Sequence, residues 1–521
     1  MLNGSNTVPR RVVGGALALL LSIGLLSACT PSDSTNPDGA TEDLNGSLTF
    51  GYFEPTTSMD PQQATSSQDI PWLLPVYAAI FAYAKDGSVT AGLAESWEQT
   101  AEDLTLHLRE GLVFHDGTPL DADAIVANLE RAKSLETSAV KGELTSVESV
   151  EAIDELTVVL HLAEADAALP AKLADRAGMI ISPTAMEDGT NLAINPVGAG
   201  PWKLVEYAPG DHLTVERFDD YYDVDAVKIK TLTIQLIDDD DTRLNAVRAG
   251  EVDIAQISAA QVQLAKTDSD LTIRTDPSVA LDHIGLNIAT PPFDNPLVRE
   301  AINYAIDREA LMAGLYHGNG IIAWQPFPPG SFANDPALEN GFPFDPEKAR
   351  DLLAQAGYPD GFTFDFKTNN QPFRVQASEA IAGMLADVGI TANIIPLEGP
   401  ALLDEFYYQL TVPAYFTPWG GRADPSQTLD NIVGPTGLNN PAKVTNPQLT
   451  KLLDQARTST DQAERGEFFR KAVANIMGES RMIPLVFPGV SFAVRDNVIG
   501  YSTGVTGKAD FLNVAVAGSS K

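Results

Sequence analysis

The stretch Tyr415 to Pro425, YFTPWGGRADP, gathers side chains suited to holding a small molecule. Trp419 offers a flat apolar face with a single N–H donor. Arg422 offers a planar fork that matches a carboxylate or phosphate. Asp424 offers a carboxylate for a cationic group. Gly420 and Gly421 follow an apolar run that begins at Tyr415, as expected of a loop leaving a strand, and loops on rigid scaffolds carry binding groups disproportionately. The chemistry this set suggests is capture rather than bond breaking. A blander reading stays open from the residues alone, in which Arg422 pairs with Asp424 and Trp419 belongs to a core.

Reaction chemistry has little to work with elsewhere. The six histidines, at 107, 115, 161, 212, 283 and 317, show no helical metal-ligand spacing. No Gly-x-Ser-x-Gly elbow and no phosphate loop occurs. Gly198 and Gly200 are followed by Pro201, which spoils a dinucleotide fingerprint. The sole cysteine, Cys29, lies at the amino-terminal end. An enzyme needs a nucleophile, a base or a metal site, so neither an enzyme nor a cofactor nor a resident metal is expected. A hydrolase built on a carboxylate pair stays open, because acids are abundant. The acidic run Asp238 to Asp241 reads as a helix start favoured by the macrodipole rather than a calcium loop.

The amino terminus reads as an address. Arg10 and Arg11 precede an apolar run, Val12 to Leu26, too short to span a bilayer as an ordinary helix. Leu26-Ser27-Ala28-Cys29 then resembles the cleavage site of a bacterial lipoprotein signal. That resemblance implies a signal peptide over 1–28, cleavage before Cys29, and a lipid on its sulfur. Residues 29–45, rich in Ser, Thr, Pro, Asp and Gly, read as a disordered tether. With Cys29 so used, no disulfide can staple the body. The 521 residues carry 34 Lys and Arg against 70 Asp and Glu, a net charge of −36. Such a field disfavours nucleic acid and anionic lipid as partners.

The elements that must position any site alternate between strand and helix. Leu104, Leu106 and Leu108 form a half-buried strand pattern, Val113-Phe114 reads as a second short strand, and Asp121 or Asp123 starts a helix carrying Ile125 and Leu129. Leu48–Tyr52, Leu156–Leu162 and Leu232–Ile237 read as strands, and Pro71–Tyr83 as helical. Pro196–Arg217 reads as a loop feeding a hairpin with its turn at Ala208-Pro209-Gly210-Asp211. Asn295 and Pro296 open a helix. Asp345–Phe364 and Ala377–Ile395 each read helix, glycine stop, strand, as in an α/β layer. Two amphipathic helices, 446–457 and 461–477, precede a tail of short strands and turns.

Three of these segments carry a resemblance: LAESWEQTAEDLTLHLREGLVFHDGTP from Leu93, PPFDNPLVREAINYAIDREALMAGL from Pro291, and DPEKARDLLAQAGYPDGFTF from Asp345. Together they resemble the family-5 extracytoplasmic solute-binding proteins of ABC transporters, which include dipeptide and oligopeptide binders. The resemblance spans about residues 46 to 515. It implies an α/β, two-lobed periplasmic-binding-protein-like fold of the large class, with a two-strand hinge and a ligand cleft between lobes. The first lobe is expected over 46–288 plus 490–521, with an extra subdomain near 72–194, and the second over 289–489. Implied partners are a small solute, peptide or peptide-like, ABC permease subunits, and the outer face of the cytoplasmic membrane through Cys29, with no nucleic acid and a monomeric body.

Expected ligand contacts are Tyr415, Trp419, Arg422 and Asp424, with Asn287, Trp324, Gln325, Phe327 and Met59 as further candidates. Peptide binders of the family commonly show tryptophan-x-x-aspartate-tyrosine-x-aspartate-proline in the place of Trp419 to Pro425, the first aspartate taking the peptide ammonium. Here Arg422 stands three after Trp419, which favours an acidic or neutral group. A secreted lipoprotein hydrolase and a ligand sensor without transport are the alternatives.

Overall fold

The computed structural model describes residues 42–518 except 399, 400, 403, 436, 438 and 445. The expected signal peptide and Cys29 lie outside the described residues. Glu42 bridges Ala517 and the Asp43 N–H donates to the Val516 carbonyl, so the last residues of the expected tether, 42–45, are tied to the carboxy-terminal strand.

Two principal sheets organise the body. The first has seven strands, in the order Leu271–Asp276, Val490–Arg495, Ile254–Ile257, Ser47–Tyr52, Thr231–Leu236, His212–Arg217, Trp202–Ala208. Its centre is Ser47–Tyr52, parallel to both neighbours, and buried on alternate residues at Leu48 and Phe50. Parallel strands need a long crossover, and the helix Asp240–Ala249 packs in that connection. Asp239 caps this helix by accepting from the Thr242 N–H, and Asp240 pairs with Arg243, which accounts for the acidic run. No cluster of three or more metal-ligating side chains occurs among the described residues.

The second sheet has six strands, in the order Gly320–Ile322, Met482–Pro488, Leu281–Leu286, Ala414–Trp419, Phe362–Asn369, Ile390–Leu397. Phe362–Asn369 and Ile390–Leu397 run parallel and are joined by the helix Pro372–Ala386, the helix–strand pass read from the sequence. Two large apolar cores serve this half, one around Phe293, Ile302 and Phe366, the other around Leu429, Leu453 and Phe469, with a small third cluster of Phe406, Val412 and Tyr415.

Only two links join the sheets: 277–280 between Leu271–Asp276 and Leu281–Leu286, and Gly489 between Met482–Pro488 and Val490–Arg495. The expected crossing after 288 therefore falls a strand too late. Leu281–Leu286 is fully buried between two partners of the second sheet, and its polar members are compensated there, Asp282 pairing with Arg374 at 2.7 Å.

A four-stranded antiparallel sheet, in the order Ala94–Gln99, Asp103–Leu108, Thr157–Leu162, Val147–Ala152, carries the helix Ala122–Ser134 and shares its core with the first sheet. Asp121 caps that helix through the Ala124 N–H at 3.0 Å. Two expectations fail locally. Val113-Phe114 forms a single bridge to Pro119 rather than a strand, because the turn Asp116-Gly117 closes immediately. Pro71–Tyr83 is helical only at its start, Ile70–Leu73. Pro75 supplies no N–H, and the N–H groups of Ile80 and Phe81 bond to the carbonyls of Gly178 and Leu173.

Candidate functional site

A cavity of about 540 Å³ lies where one loop of the second half meets the first half. That lies within the ~300–1,000 Å³ of small-molecule sites. The first half contributes Ser67 to Lys85, Asp175, Trp202, the Tyr221-Tyr222-Asp223 turn and the returning segment from Gly500 to Asn513. The second half contributes the loop Gly420 to Ala423.

Glycine is required where that loop meets the link. Gly421 adopts φ +72°, and a Cβ there would lie 2.5 Å from the Val279 carbonyl oxygen. The returning segment is bound to the same link, since the Val279 N–H donates to the Val505 carbonyl at 2.9 Å and the Val505 N–H to the Lys85 carbonyl at 3.1 Å. Loop, link and tail therefore pack together, the link and tail joined by hydrogen bonds.

Charged groups on and behind the lining are found around Arg422 and Lys508 and around Asp510. In the first, the Arg422 guanidinium stacks 5.4 Å from the Trp419 ring, and Lys508 Nζ donates to Gln68 Oε1 at 3.0 Å. Burial above all, then the nearby Arg422 charge, pushes the Lys508 ammonium down to about 8. Glu54 is pushed up by burial and then by Asp69, with Lys508 opposing. Glu143, also pushed up by burial and opposed chiefly by Arg422, has one carboxyl oxygen with no hydrogen-bond partner. In the second group, Asp510 keeps much surface open to water although protein surrounds it, as befits a side chain facing an internal space. Burial pushes its carboxyl up, and Lys85 pulls it back. Tyr221 and Tyr222 lie beside it, their ring centroids 4.5 Å apart, and Arg109 caps the Tyr222 ring at 4.8 Å.

Of the side chains expected from sequence to meet ligand, Arg422 borders this cavity and the others do not. Asp424 caps the helix Pro425–Ile432 and is gripped by Arg465 through two hydrogen bonds of 2.8 and 2.9 Å. Arg422 does not pair with it. Trp419 donates to Thr428 Oγ1 at 3.0 Å and packs on the helical core. Tyr415 is buried in the second sheet, donating to the Asn439 carbonyl at 2.9 Å, and its ring leaves no room for a Cβ at Gly285. Asn287 ties a turn through the Ala289 N–H. Trp324 lies over Arg308, Gln325 exchanges hydrogen bonds with the Asp335 backbone, and Phe327 and Met59 are core. Sequence reasoning missed Lys508 and Asp510, which sit in a glycine-rich tail without distinctive pattern. The Tyr221-Tyr222-Asp223 cluster after the hairpin was the one legible signal for that wall.

Outside the cavity the halves also touch. The Ala167 N–H donates to the Arg457 carbonyl at 2.9 Å, at the end of the helix Pro447–Thr458. Lys172, paired with Asp166 at 2.6 Å, lies near enough to Asp430 to favour its ionised form.

This geometry has known counterparts. Residues 88–440 match the family model "Bacterial extracellular solute-binding proteins, family 5 Middle". The glutathione-binding proteins of Pectobacterium atrosepticum and Escherichia coli K12 are 30% and 32% identical over 460 residues, covering 85% of this chain and 89% and 90% of theirs. Among solved structures, the periplasmic binding protein AgaA of A. tumefaciens R10, in complex with agropinic acid, is 28% identical at a TM-score of 0.77, covering 91% of this chain and 99% of that one. The ABC transporter-associated DppA of Helicobacter pylori, in complex with the peptide STSA, is 25% identical at a TM-score of 0.79, covering 91% and 98%. A match over most of the length, to a family whose two-lobed fold this chain shares, settles its membership: the chain belongs to the family-5 bacterial extracellular solute-binding proteins.

Proposed function

We propose that this protein captures a small peptide or peptide-like solute in the cavity between its two halves and hands it unchanged to an ABC permease. The observation that carries this reading is a cavity lined mainly by the first half and bounded by the Gly420 to Ala423 loop of the second, in a body whose two principal sheets are joined by two short links. Such a joint can open by changes at 277–280 and Gly489 alone, as in hinge closure. A solute bridging Arg422 on one wall and Lys508 on the other binds the closed form better and so selects it. In the drier closed site each charged contact is stronger. The glutathione-binding relatives and the peptide-bound neighbour support a ligand with peptide character.

The first lobe is assigned to 46–276 plus 490–518, and the second to 281–488. Cys29 carries the lipid that holds a monomeric body at the outer face of the cytoplasmic membrane. The mechanism is binding without turnover. Deleting the gene and measuring uptake of radiolabelled tripeptides tests the transport reading. Loss of uptake supports it, and unchanged uptake of every labelled solute points to the sensor alternative. Cys29→Ser should move the protein from the membrane fraction to the soluble fraction; retention would contradict anchoring.

A further inference from the structure

We infer that the returning tail, Thr503 to Lys508, is a strap laid across both links, which pins their first-half ends and confines the turning of the joint to Ala280 and Gly489. The inference rests on the hinge-closure reading and deepens it by locating the bend.

The strap is fixed at both ends. Tyr501 and Phe511 are buried in the core of the first half, their rings 5.2 Å from Phe492 and 5.3 Å from Phe50. Between these anchors the chain turns back on itself, the Gly507 N–H donating to the Gly504 carbonyl at 2.9 Å. The Val505 N–H ties the turn to the Lys85 carbonyl at 3.1 Å. A segment held in this way moves with the first half.

The two links leave the first sheet side by side. Asp276 pairs in register with Val490, and Thr275 Oγ1 lies 2.9 Å from Ser491 Oγ. The strap takes hold at that place. Asp276 Oδ2 accepts from the Thr503 N–H at 3.1 Å and from Thr503 Oγ1 at 3.0 Å. Farther along the link, the Val279 N–H donates to the Val505 carbonyl at 2.9 Å. Gly507 fits against both links at once. Its φ is +68°, and a Cβ there would lie 2.7 Å from Val490 Cγ2 and 3.4 Å from Ser278 Cβ.

The strap's bonds reach Val279 and stop. Ala280 donates instead to Ser278 Oγ, inside the link, at 3.0 Å and leads directly into Leu281. On the other link the Gly489 N–H donates to the Asn319 carbonyl of the second half at 3.2 Å, so that link turns where Gly489 meets Val490. Hinges concentrate their motion in a few residues that absorb the φ/ψ change, and the strap decides which. Without it the whole of 277–280 is free to turn. A longer flexible link makes bringing the halves together more costly in entropy, so they separate further and more often. The strap ends on Lys508, which lines the cavity, so one segment both sets the bend and supplies part of the wall that a solute meets.

Pulsed electron spin resonance on the folded, solute-free protein tests this. Cys29 is the sole cysteine, so Cys29→Ser gives a background in which only introduced cysteines carry nitroxides. Glu164→Cys and Thr460→Cys place one label in each half, at exposed positions beside the Ala167–Arg457 bond that joins the halves. Val279→Pro removes the donor to Val505, and since one hydrogen bond is worth a few-fold in an equilibrium it should raise the ratio of long to short distances about fivefold. Asp276→Ala, which removes the acceptor of two bonds, should raise it at least as much. Thr503→Val removes one of those two and should raise it about threefold. Gly504→Ala, whose Cβ would meet nothing nearer than 3.7 Å, should leave the ratio unchanged. Thermal melts establish that each variant folds, and Thr503→Val carries the test if the proline variant does not.

A parent that shows two distances, with the same ratio in Asp276→Ala and Thr503→Val, overturns the strap and leaves the joint standing. A single distance shared by the parent and every variant overturns both the strap and the hinge-closure reading.

Discussion

Two arginines 43 positions apart in the second half meet opposite fates. Arg465 is buried against Asp424, two hydrogen bonds to a carboxylate that also starts the helix Pro425–Ile432. Arg422, two residues before that carboxylate, borders the cavity; among the described residues no carboxylate lies within ion-pair distance of it, though its charge favours the ionised form of Glu143. The paired arginine holds the loop's far end still, and the unpaired one is presented by what is held. In the proposed reading, the satisfied charge serves as scaffold and the open one at the cavity meets the solute.

The largest expected effect breaks the satisfied pair. Arg465→Met leaves Asp424 buried alone and should cost about 3–5 kcal/mol of stability, read by urea unfolding. Replacing both, Arg465→Met with Asp424→Leu, should recover much of that loss, because the isolated charge is then gone. Arg422→Met should change stability by only about 0.5 kcal/mol. An equal loss in Arg422→Met would erase the contrast.

A third way of burying a titratable group is to keep it neutral. Burial pushes His115 and His283 down to about 4 from the usual histidine range. Both are neutral in folded and unfolded chains above about pH 6.5, so their contribution is complete there. As pH falls from about 6.5 toward 4 the unfolded chain binds protons that the folded one refuses, and stability declines by about 2 kcal/mol for each histidine at pH 4.5. His115→Gln keeps a donor for the Gly200 carbonyl, which His115 meets at 2.9 Å. Urea unfolding at pH 7 and pH 4.5 should show a smaller decline for that variant.

Lys508 sharpens the comparison through binding. Its ammonium titrates near 8, and the charged groups around it are Arg422, Asp175, Glu54 and Arg176. Affinity for trialanine should therefore drop as pH rises through about 8, while affinity for trialanine amide should change less. The folded state gives up this proton before the unfolded state does, so between about 8 and the ordinary lysine range stability should rise with pH. The smallest effect lies at the outer contact. Lys172→Met removes a charge facing Asp430 and should speed ligand dissociation roughly two- to threefold in stopped-flow measurements.

Helix starts were legible because each is written locally. Asn295, Asp345 and Asp461 cap their helices through their own side chains, with the spacing read from sequence. Strand Asp103–Leu108 was legible because its buried face recurs every second residue. The crossing between halves was not, because the central strand Leu281–Leu286 carries no mark of which sheet it joins; partners 130 and 200 residues away decide that. The site divided similarly. Arg422 stood out beside a tryptophan and two glycines. Lys508 and Asp510 did not, because their role comes from a tail that returns past the link at Val279. Trp419 and Asp424 looked like ligand contacts for the same reasons that make them good supports: a flat face for Arg422 and a carboxylate for a helix end.

The most direct test of a solute held between the two halves is native mass spectrometry of the protein purified from the cells that make it. The account predicts an additional mass of a few hundred daltons, released on denaturation and missing from the folded Arg422→Met, Lys508→Met double variant. A bound mass that persists undiminished in that variant would contradict it.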